Sequence, residues 1–172
     1  MKTLEIRRHS LRSKPGQNLS QQGVTLARLI GEGMGKFSYV VTSPAPRAFQ
    51  TAVAMGYAVD EVAELLFTYG DDVDLECPWP ASFDEYAAAS RQNGPTARYV
   101  RRLADFYYKL IESLPEGGAA LVVNHGGVVE LSAVACLPSA DFSAMGDYLE
   151  CCEGVRLTWQ DGKFIDLQVL RV

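Results

Sequence analysis

The stretch Ala119–Gly127, "AALVVNHGG", decides which kind of fold the sequence can form. Its first five residues are apolar, and an unbroken apolar run of this kind is typical of a strand that is buried on both faces. Such strands belong to parallel sheets that carry helices on both sides. A histidine and two glycines follow the run, and the glycines predict a tight entry into a helix. The stretch therefore predicts a central strand of an α/β sheet with polar side chains at its carboxyl end.

Strand and helix patterns alternate through most of the remaining chain. The segments "KTLEIRRH" and "FSYVVTSP" predict strands, and "AALVVNH" is the third. Four segments have helical spacing or helix-boundary residues, and Ser20 is the predicted N-cap of the first: "LSQQGVTLARLIGEGMG", "PRAFQTAVAMG", "TARYVRRLADFYYKLIESLPEGG" and "GGVVELSAVACLP". The last segment predicts a hairpin around Asp161 and Gly162. This order predicts an α/β fold: a three-layer sandwich with a mostly parallel central sheet flanked by helices and a C-terminal antiparallel hairpin.

Composition restricts the classes of function. The 172 residues are enough for one domain, 1–172, with a sizeable core. The net charge of −5 argues against a general nucleic-acid binder. Because there is no long apolar run and the N-terminal region carries charges, we expect no membrane association and a cytoplasmic location. The four cysteines lack CxxC spacing, so we expect neither a zinc site nor another bound metal.

An arginine, a histidine or both follow each of the three predicted strands. Arg8 and His9 follow the first strand, Arg47 follows the second, and His125 with Gly126 follows the third. Any one of these residues alone would more often be structural or solvated than functional. Carboxyl ends of parallel strands meet at one edge of the sheet, which is where α/β folds bind ligands. The joint placement therefore predicts that these residues converge in one site.

These residue types suit phosphoryl chemistry. A neutral imidazole such as that of His9 is a competent nucleophile. Arginine guanidinium groups match phosphate oxygens in pairs and stabilise charge on the group in transit. Glycine at position 126 lets the amides of a helix N-terminus approach an anion. The sequence therefore predicts a phosphate pocket in which His9 is the attacking group.

The same residues resemble the motifs of the histidine phosphatase superfamily, the phosphoglycerate-mutase-like clan. "RRHS" resembles its Arg-His-Gly signature, and "VVNHGGVV" resembles its second histidine motif. "LSQQGVTLARLIG" and "TSPAPRAFQTA" are similar to the two segments that lie between those motifs. All four occur in the family's order, and the compact arrangement is similar to that of the small phosphohistidine phosphatases.

The resemblance implies an activity and a role for each residue. His9 would be the phosphorylated nucleophile, Arg8 and Arg47 would bind the phosphoryl group, and His125 would be the second histidine of the pocket. The implied enzyme is a phosphatase that hydrolyses a phosphomonoester or a phosphoramidate without metal or cofactor. Its substrate would be a small phosphorylated metabolite or a phosphohistidine protein.

The general acid is the least certain part of this interpretation. Glu64 and Asp71 are both candidates, and either is equally well explained as part of a solvated acidic loop. Small relatives without the acid can use substrates whose leaving group is already good. Ser10 replaces the glycine of the family signature and predicts a different loop after His9. The segment 70–95 falls where the family builds its substrate lid, so we expect a lid or insert there.

Two other functions are compatible with the sequence. One is a non-catalytic module that binds a phosphorylated ligand or has a regulatory role, and the pair of histidines with its arginines argues against it. The other is a phosphoglycerate-mutase-type phosphotransferase, which the short chain without long insertions disfavours.

Overall fold

The computed structural model describes residues 1–172 and contains one six-stranded sheet and six α-helices. The strands are β1 (Lys2–Arg8), β2 (Tyr39–Thr42), β3 (Glu61–Val62), β4 (Ala119–Asn124), β5 (Gly154–Gln160) and β6 (Lys163–Leu170). The helices are α1 (Gln21–Glu32), α2 (Pro46–Ala54), α3 (Asp71–Glu76), α4 (Phe83–Ser90), α5 (Pro95–Ser113) and α6 (Val128–Cys136). None of these helices has both the length and the apolar character needed to cross a bilayer.

The sheet has the strand order β3-β2-β4-β1-β5-β6. Its first four strands run parallel to their neighbours, whereas β5 is antiparallel to β1 and β6 is antiparallel to β5. The β5–β6 connection is formed by Asp161 and Gly162, which both have the positive φ of a tight hairpin turn. The predicted mostly parallel sheet with a C-terminal antiparallel hairpin is confirmed.

Strand β4 lies between β2 and β1 and is covered on both faces. Val122 belongs to the main hydrophobic core, which also contains buried residues of α5 and α6. Leu121 and Val123 point to the opposite face and pack in a second cluster with Ala48 and Ala52 of α2. Because alternate side chains of a strand point to opposite faces, a strand covered on both sides must be apolar throughout. This packing explains the unbroken apolar run of the sequence.

The register of the parallel strands brings their carboxyl ends level. Arg8 lies opposite Asn124, and Thr42 lies opposite Val123. The ladder continues past the strand ends, because the His9 N–H donates to the carbonyl of Asn124 at 2.9 Å. The residues that follow β1, β2 and β4 therefore emerge side by side at one edge of the sheet.

The segment between α2 and α5 is more helical than its sequence pattern indicates. It contains the two-residue strand β3, a 3-10 turn at Glu64–Leu66, and the helices α3 and α4. Ser82 is the N-cap of helix α4, and its side chain accepts the N–H of Glu85. The helix buries Phe83 and Tyr86 in the main core. Within the segment 70–95, where we expected a lid or insert, α4 therefore packs into the core, as do Val73 and Cys77, and a lid function for the segment stays a prediction.

A close contact joins α1 to the loop that follows His9. Ser20 is the N-cap of α1 as predicted, since its hydroxyl accepts the N–H of Gly23 at 3.0 Å. The carbonyl of Gly23 accepts the Ser10 hydroxyl at 2.7 Å. A Cβ atom on Gly23 would lie only 1.9 Å from the carbonyl oxygen of Leu11. Only glycine permits this approach of helix and loop.

We therefore expect Gly23→Ala to destabilise the protein. The new methyl group must push the Leu11 backbone away from α1, and overpacking of this kind costs roughly 1–3 kcal/mol. Urea unfolding followed by circular dichroism measures the change in the free energy of unfolding. Gly35→Ala is the matched control, because a Cβ atom there would meet nothing within 4 Å. Equal unfolding midpoints for the two variants would contradict the role given to Gly23.

Candidate active site

The structure brings the two histidines of the chain together. Their ring centroids are 5.3 Å apart, and His9 and His125 are 8% and 7% exposed. They lie side by side because they follow β1 and β4, which are parallel neighbours with level ends. Arg8, Arg47 and Gly126 lie at the same edge of the sheet, so the predicted convergence occurs.

His9 presents a nitrogen lone pair toward Arg47. Its Nδ1 lies 2.7 Å from the carbonyl oxygen of Ser10, which can only accept, so Nδ1 carries the proton and donates. The other ring nitrogen, Nε2, accepts the Nε–H of Arg47 at 3.2 Å. In this tautomer Nε2 has the free electron pair that a nucleophile requires.

Arg47 lies between the two imidazoles. It follows Pro46 in the first turn of α2, which starts directly after the loop from β2. Its Nη2 donates to Nδ1 of His125 at 3.2 Å, and its Nη1 donates to the side-chain oxygen of Gln17. Because guanidinium groups only donate, His125 carries its proton on Nε2, which lies 2.7 Å from the hydroxyl of Ser43. Two N–H groups of Arg47 thus point at ring nitrogens on either side of it.

Burial and neighbouring cations keep both histidines neutral. Burial, helped by the charges of Arg47 and Arg8, lowers the pKa of His9 to about 4, against the opposing effect of the hydrogen bond to the Ser10 carbonyl. The pKa of His125 falls to about 3, first through burial and then through His9 and Arg47. Both rings are therefore uncharged at neutral pH, and the positive charge of the site is carried by the guanidinium groups.

Arg8 has a hydrogen-bond donor without a partner in the protein. Its Nη1 donates to the carbonyl of Leu149 at 2.6 Å, and its guanidinium carbon lies 5.4 Å from the ring centroid of Trp79. Its Nε is buried and makes no hydrogen bond. A Cβ atom on Gly126 would lie 3.3 Å from this Nε and 2.9 Å from the indole nitrogen of Trp79. Glycine at position 126 thus permits the close approach of Arg8 to the turn after β4.

A cleft of about 430 Å³ opens at Arg47 and His125, next to His9, and is called the site cleft below. One side of it is formed by Arg47, His125, Gly126 and Val128; the other is formed by Phe67, Thr68, Tyr69, Gly70, Asp71, Asp74 and Trp79. A larger groove of about 690 Å³ between α1 and α2 contains none of the predicted site residues, so its size does not make it the site.

The two candidate acids differ in position. Asp71, at the start of α3, lines the site cleft. Glu64 does not line it: the 3-10 turn buries Leu66 in the core and leaves the Glu64 side chain exposed. Glu64 is therefore not a lining residue of this cleft, and its role as a general acid stays a prediction.

Sequence reasoning missed a second carboxylate in the site cleft. Asp74 lies three residues after Asp71 and thus on the same face of α3. Its carboxylate accepts hydrogen bonds from the Tyr69 hydroxyl at 3.2 Å and from the Trp79 N–H at 3.1 Å. The helical spacing of the two aspartates was the signal that could have found it. No group of three or more His, Cys, Asp or Glu side chains is arranged to hold a metal ion.

Solved structures with the same fold include phosphatases and a mutase. Phosphoserine phosphatase from Entamoeba histolytica, solved with 3-phosphoglyceric acid, has a TM-score of 0.72 and 15% identity, over 100% of this chain and 98% of its own. A mycobacterial glucosyl-3-phosphoglycerate phosphatase has a TM-score of 0.67 and 23% identity, over 99% and 98%. Phosphoglycerate mutase from Bacillus anthracis has a TM-score of 0.64 and 18% identity, over 99% and 92%.

These likenesses cover nearly the whole of each chain and show that the protein has the fold of these enzymes. The resemblance drawn from the four sequence motifs is confirmed at that level. No family model and no curated protein sequence matches the chain. What the protein does must therefore be argued from the site itself.

The protonation of the two histidines is directly measurable, because the chain contains no others. We expect their ring C–H signals in ¹H–¹³C NMR spectra to stay constant from pH 8 down to about 5.5, well above the pKa values of about 4 and about 3. Inorganic phosphate should raise both midpoints, because it brings negative charge beside the imidazolium form.

Two variants test whether nearby positive charge sets these midpoints, and the removal of a distant charge is the control. Arg47→Gln takes away a cation that contacts both rings and should raise both midpoints. Arg28→Gln removes an exposed charge on α1 and should leave them unchanged. A wild-type midpoint near 6.5 for either histidine would show that the rings are not held neutral.

Proposed function

We propose that the protein is a phosphatase that hydrolyses phosphomonoesters or phosphoramidates through a phosphohistidine intermediate on His9. One observation carries this proposal: the Nε2 of His9 is unprotonated and lies within 3.2 Å of an arginine N–H, beside a second neutral histidine. A lone pair on nitrogen next to fixed phosphate-binding donors is what nucleophilic attack on phosphorus requires. The fold shared with solved phosphatases supports the proposal.

Phosphate binding would rearrange the contacts of Arg47. In the free protein its N–H groups are directed at Nε2 of His9 and Nδ1 of His125. Phosphoryl oxygens are stronger acceptors for a guanidinium group, because both partners are charged. Once Arg47 binds these oxygens, Nε2 of His9 faces the phosphorus atom directly. The unpaired Nε–H of Arg8 supplies a further donor to the same group.

Transfer then proceeds in two steps. In the first, the lone pair of His9 Nε2 forms a bond to phosphorus while the bond from phosphorus to the leaving group breaks and its electron pair leaves with that group. The imidazole gains positive charge, which the hydrogen bond from Nδ1 to the Ser10 carbonyl at 2.7 Å stabilises. In the second step, water attacks phosphorus, the electrons of the phosphorus–nitrogen bond return to Nε2, and the proton that the water loses passes to an oxygen of the phosphate product.

The charge of the group in transit is balanced by the arginines. Arg8 and Arg47 present fixed positive charge on two sides of the neutral imidazoles. Guanidinium forks match the oxygens of a transferring phosphoryl group and stabilise its charge. We propose on this ground that the reaction needs no metal ion. A cytoplasmic location is part of the same proposal, and cysteines without metal or disulfide spacing fit it.

The outer wall of the site cleft would select the leaving group. It is formed by residues 67–71, Asp74 and Trp79, which include the start of the segment that we propose acts as the substrate lid or insert. Aromatic side chains and the carboxylates of Asp71 and Asp74 line this wall, whereas Arg47 lines the phosphate side. We propose that a small phosphorylated metabolite or a phosphohistidine side chain places its phosphoryl group inside and its remainder against this wall.

We expect His9→Ala to abolish formation of the phosphoenzyme, because the covalent path is then lost. His125→Ala should slow the reaction by about 10²–10³, the loss typical for one charge-stabilising donor. Rapid-quench labelling with p-nitrophenyl [³²P]phosphate, without added metal, measures both effects. Circular dichroism spectra of the two variants control for folding. A wild-type protein without hydrolysis, or a His9→Ala protein that still takes label on another residue, would overturn the proposal.

The outer wall also predicts a preference among substrates. Both carboxylates of the site cleft are exposed, so neither has the burial that prepares a carboxyl group to protonate a leaving group. Aryl phosphates and phosphoramidates should therefore react faster than alkyl phosphates, by the roughly 10²–10⁴ that a general acid contributes. Comparison of p-nitrophenyl phosphate, phosphohistidine and ethyl phosphate measures this preference.

Variants of the two candidate acids complete the test. Asp71→Asn should change the rate on p-nitrophenyl phosphate little, and Glu64→Gln, outside the site cleft, is the matched control. Similar rates on aryl and alkyl substrates, together with a collapse of the alkyl rate in Asp71→Asn alone, would identify Asp71 as a working general acid.

A further inference from the structure

The carboxylate of Glu130 is buried behind the site and does not face the site cleft. Its residue is 0% exposed, and both of its oxygens accept backbone hydrogen bonds. Oε2 accepts the N–H of Gly127 at 2.7 Å, and Oε1 accepts the N–H of Leu149 at 2.7 Å. Burial raises the pKa of this carboxyl group. A buried carboxylate is costly unless it is hydrogen-bonded, so these two contacts are needed to keep it there.

The two N–H groups belong to opposite sides of the proposed phosphate pocket. Gly127 directly precedes α6 and lies two residues after His125. Leu149 belongs to the segment before β5, and its carbonyl accepts the Nη1–H of Arg8 at 2.6 Å. A single side chain therefore connects the turn behind His125 with the residue that anchors Arg8.

Arg8 has few other contacts that could orient it. The carboxylate of Glu150 is 3.9 Å away and its side chain is 66% exposed, and exposed ion pairs contribute little. The ring of Trp79 limits one face of the guanidinium group but does not fix its rotation. The Nε–H has no partner in the protein. The hydrogen bond to the Leu149 carbonyl is thus the one short contact that orients the guanidinium group of Arg8.

We propose that Glu130 is a positioning residue for phosphate binding, which holds Arg8 and the Gly126–Gly127 turn in the arrangement that receives the phosphoryl group. It acts through the backbone of Leu149 and Gly127 and does not touch the substrate. The inference rests on the proposed function, because it assigns a role within that site.

A purely structural role for Glu130 is separable from this one. Glutamate three residues after an N-cap often stabilises a helix by accepting the N-cap N–H. Glu85 does this for α4, where its carboxylate accepts the N–H of Ser82 at 2.7 Å, the same length as the contact of Glu130 with Gly127. Helix α4 does not line the site cleft. Only Glu130 has the second contact, to Leu149, that leads to Arg8.

The test is Glu130→Gln, which keeps the volume but replaces one acceptor with an NH₂ group that cannot accept. One of the two backbone N–H groups then faces a donor, and Leu149 or Gly127 must shift. We expect the affinity for inorganic phosphate, measured by calorimetry, to fall roughly 10–100-fold, the loss typical for residues that support a binding shell. With p-nitrophenyl phosphate, KM should rise more than kcat falls, since Arg8 binds the phosphoryl group before and during transfer.

A spectroscopic signature reports on Arg8 without turnover. The Nε–H signal of Arg8 in ¹H–¹⁵N spectra, assigned with Arg8→Lys, should shift in Glu130→Gln. It should stay in place in Glu85→Gln, which loses the equivalent helix contact, and in Ser132→Ala, which loses buried hydrogen bonds with the Val128 carbonyl of α6 and the Tyr107 hydroxyl of α5. These two controls should also bind phosphate as the wild type does.

The possible results separate the positioning role of Glu130 from the proposed phosphatase function. Wild-type phosphate affinity and an unmoved Arg8 signal in Glu130→Gln would overturn the positioning role, and so would equal losses in the controls. If Glu130→Gln does not fold, Glu130→Asp, which keeps the charge but shortens the reach to Leu149, is expected to give the same shift. Because binding and the Arg8 signal need no turnover, a wild-type protein that binds phosphate without hydrolysing p-nitrophenyl phosphate would overturn the proposed function alone.

Discussion

The parallel pairing of β1 with β4 is the constraint on which the site depends. It sets Arg8 opposite Asn124, and the hydrogen bond from the His9 N–H to the Asn124 carbonyl carries that register one residue further. Two imidazoles that are far apart in the sequence thereby come to lie 5.3 Å apart. A slip of one residue would send one of the two histidines to the other face of the sheet, because side chains alternate along a strand. The burial of β4 on both faces is what makes such a slip costly.

Electrostatics suit this pair of histidines to an anion. The site concentrates two guanidinium groups around two rings that burial already disfavours as cations. In the free protein Arg47 satisfies its donors with the ring nitrogens, which are weaker acceptors than phosphate oxygens. A phosphoryl group bound as proposed would therefore gain the arginines and release the His9 lone pair in one step. The same arrangement that keeps His9 nucleophilic also makes the site specific for negative charge.

The sequence predicts the parts of this structure that repeat a period or a motif. The apolar run before His125, the amphipathic pattern of α5 and the Asp161–Gly162 turn each specify a local structure, and the strand ends then specify where the polar residues meet. The region between α2 and α5 lacks such a pattern, because β3 has two residues and α4 is a short helix rich in alanine. The sequence therefore left Glu64 and Asp71 as equal candidates in this region, and Asp74 was missed.

Sequence patterns do not predict contacts that are made through backbone groups. Glu130 meets the N–H of Leu149, and any residue except proline at position 149 would offer that N–H and the carbonyl that Arg8 uses. Trp79 likewise reaches Arg8 through a bend of the chain that no periodicity describes. A residue that contacts another functional side chain can be found from a sequence motif. A residue that contacts only backbone groups can be found from the structure alone.

Ser10 shows how a departure from a family signature can leave the site intact. Its side chain is fully buried: the hydroxyl donates to the Gly23 carbonyl at 2.7 Å, and the N–H donates to the Thr51 hydroxyl at 2.9 Å. Thr51 in turn donates to the carbonyl of Arg47 at 2.6 Å. The serine therefore ties the loop after His9 to α1 and to the helix that carries Arg47.

The other side of the His9 backbone is held as firmly. Arg7 is buried, pairs with the buried carboxylate of Glu5 at 2.7 Å, and donates to the carbonyl of Cys152 at 2.8 Å. The N–H of Cys152 then donates to the carbonyl of Arg8 at 3.1 Å. A nucleophile must be held within a fraction of an ångström of its productive position. Ser10 on one side and Cys152 on the other anchor the His9 backbone before any ligand arrives, so that the proposed phosphate binding has to rearrange only the contacts of Arg47.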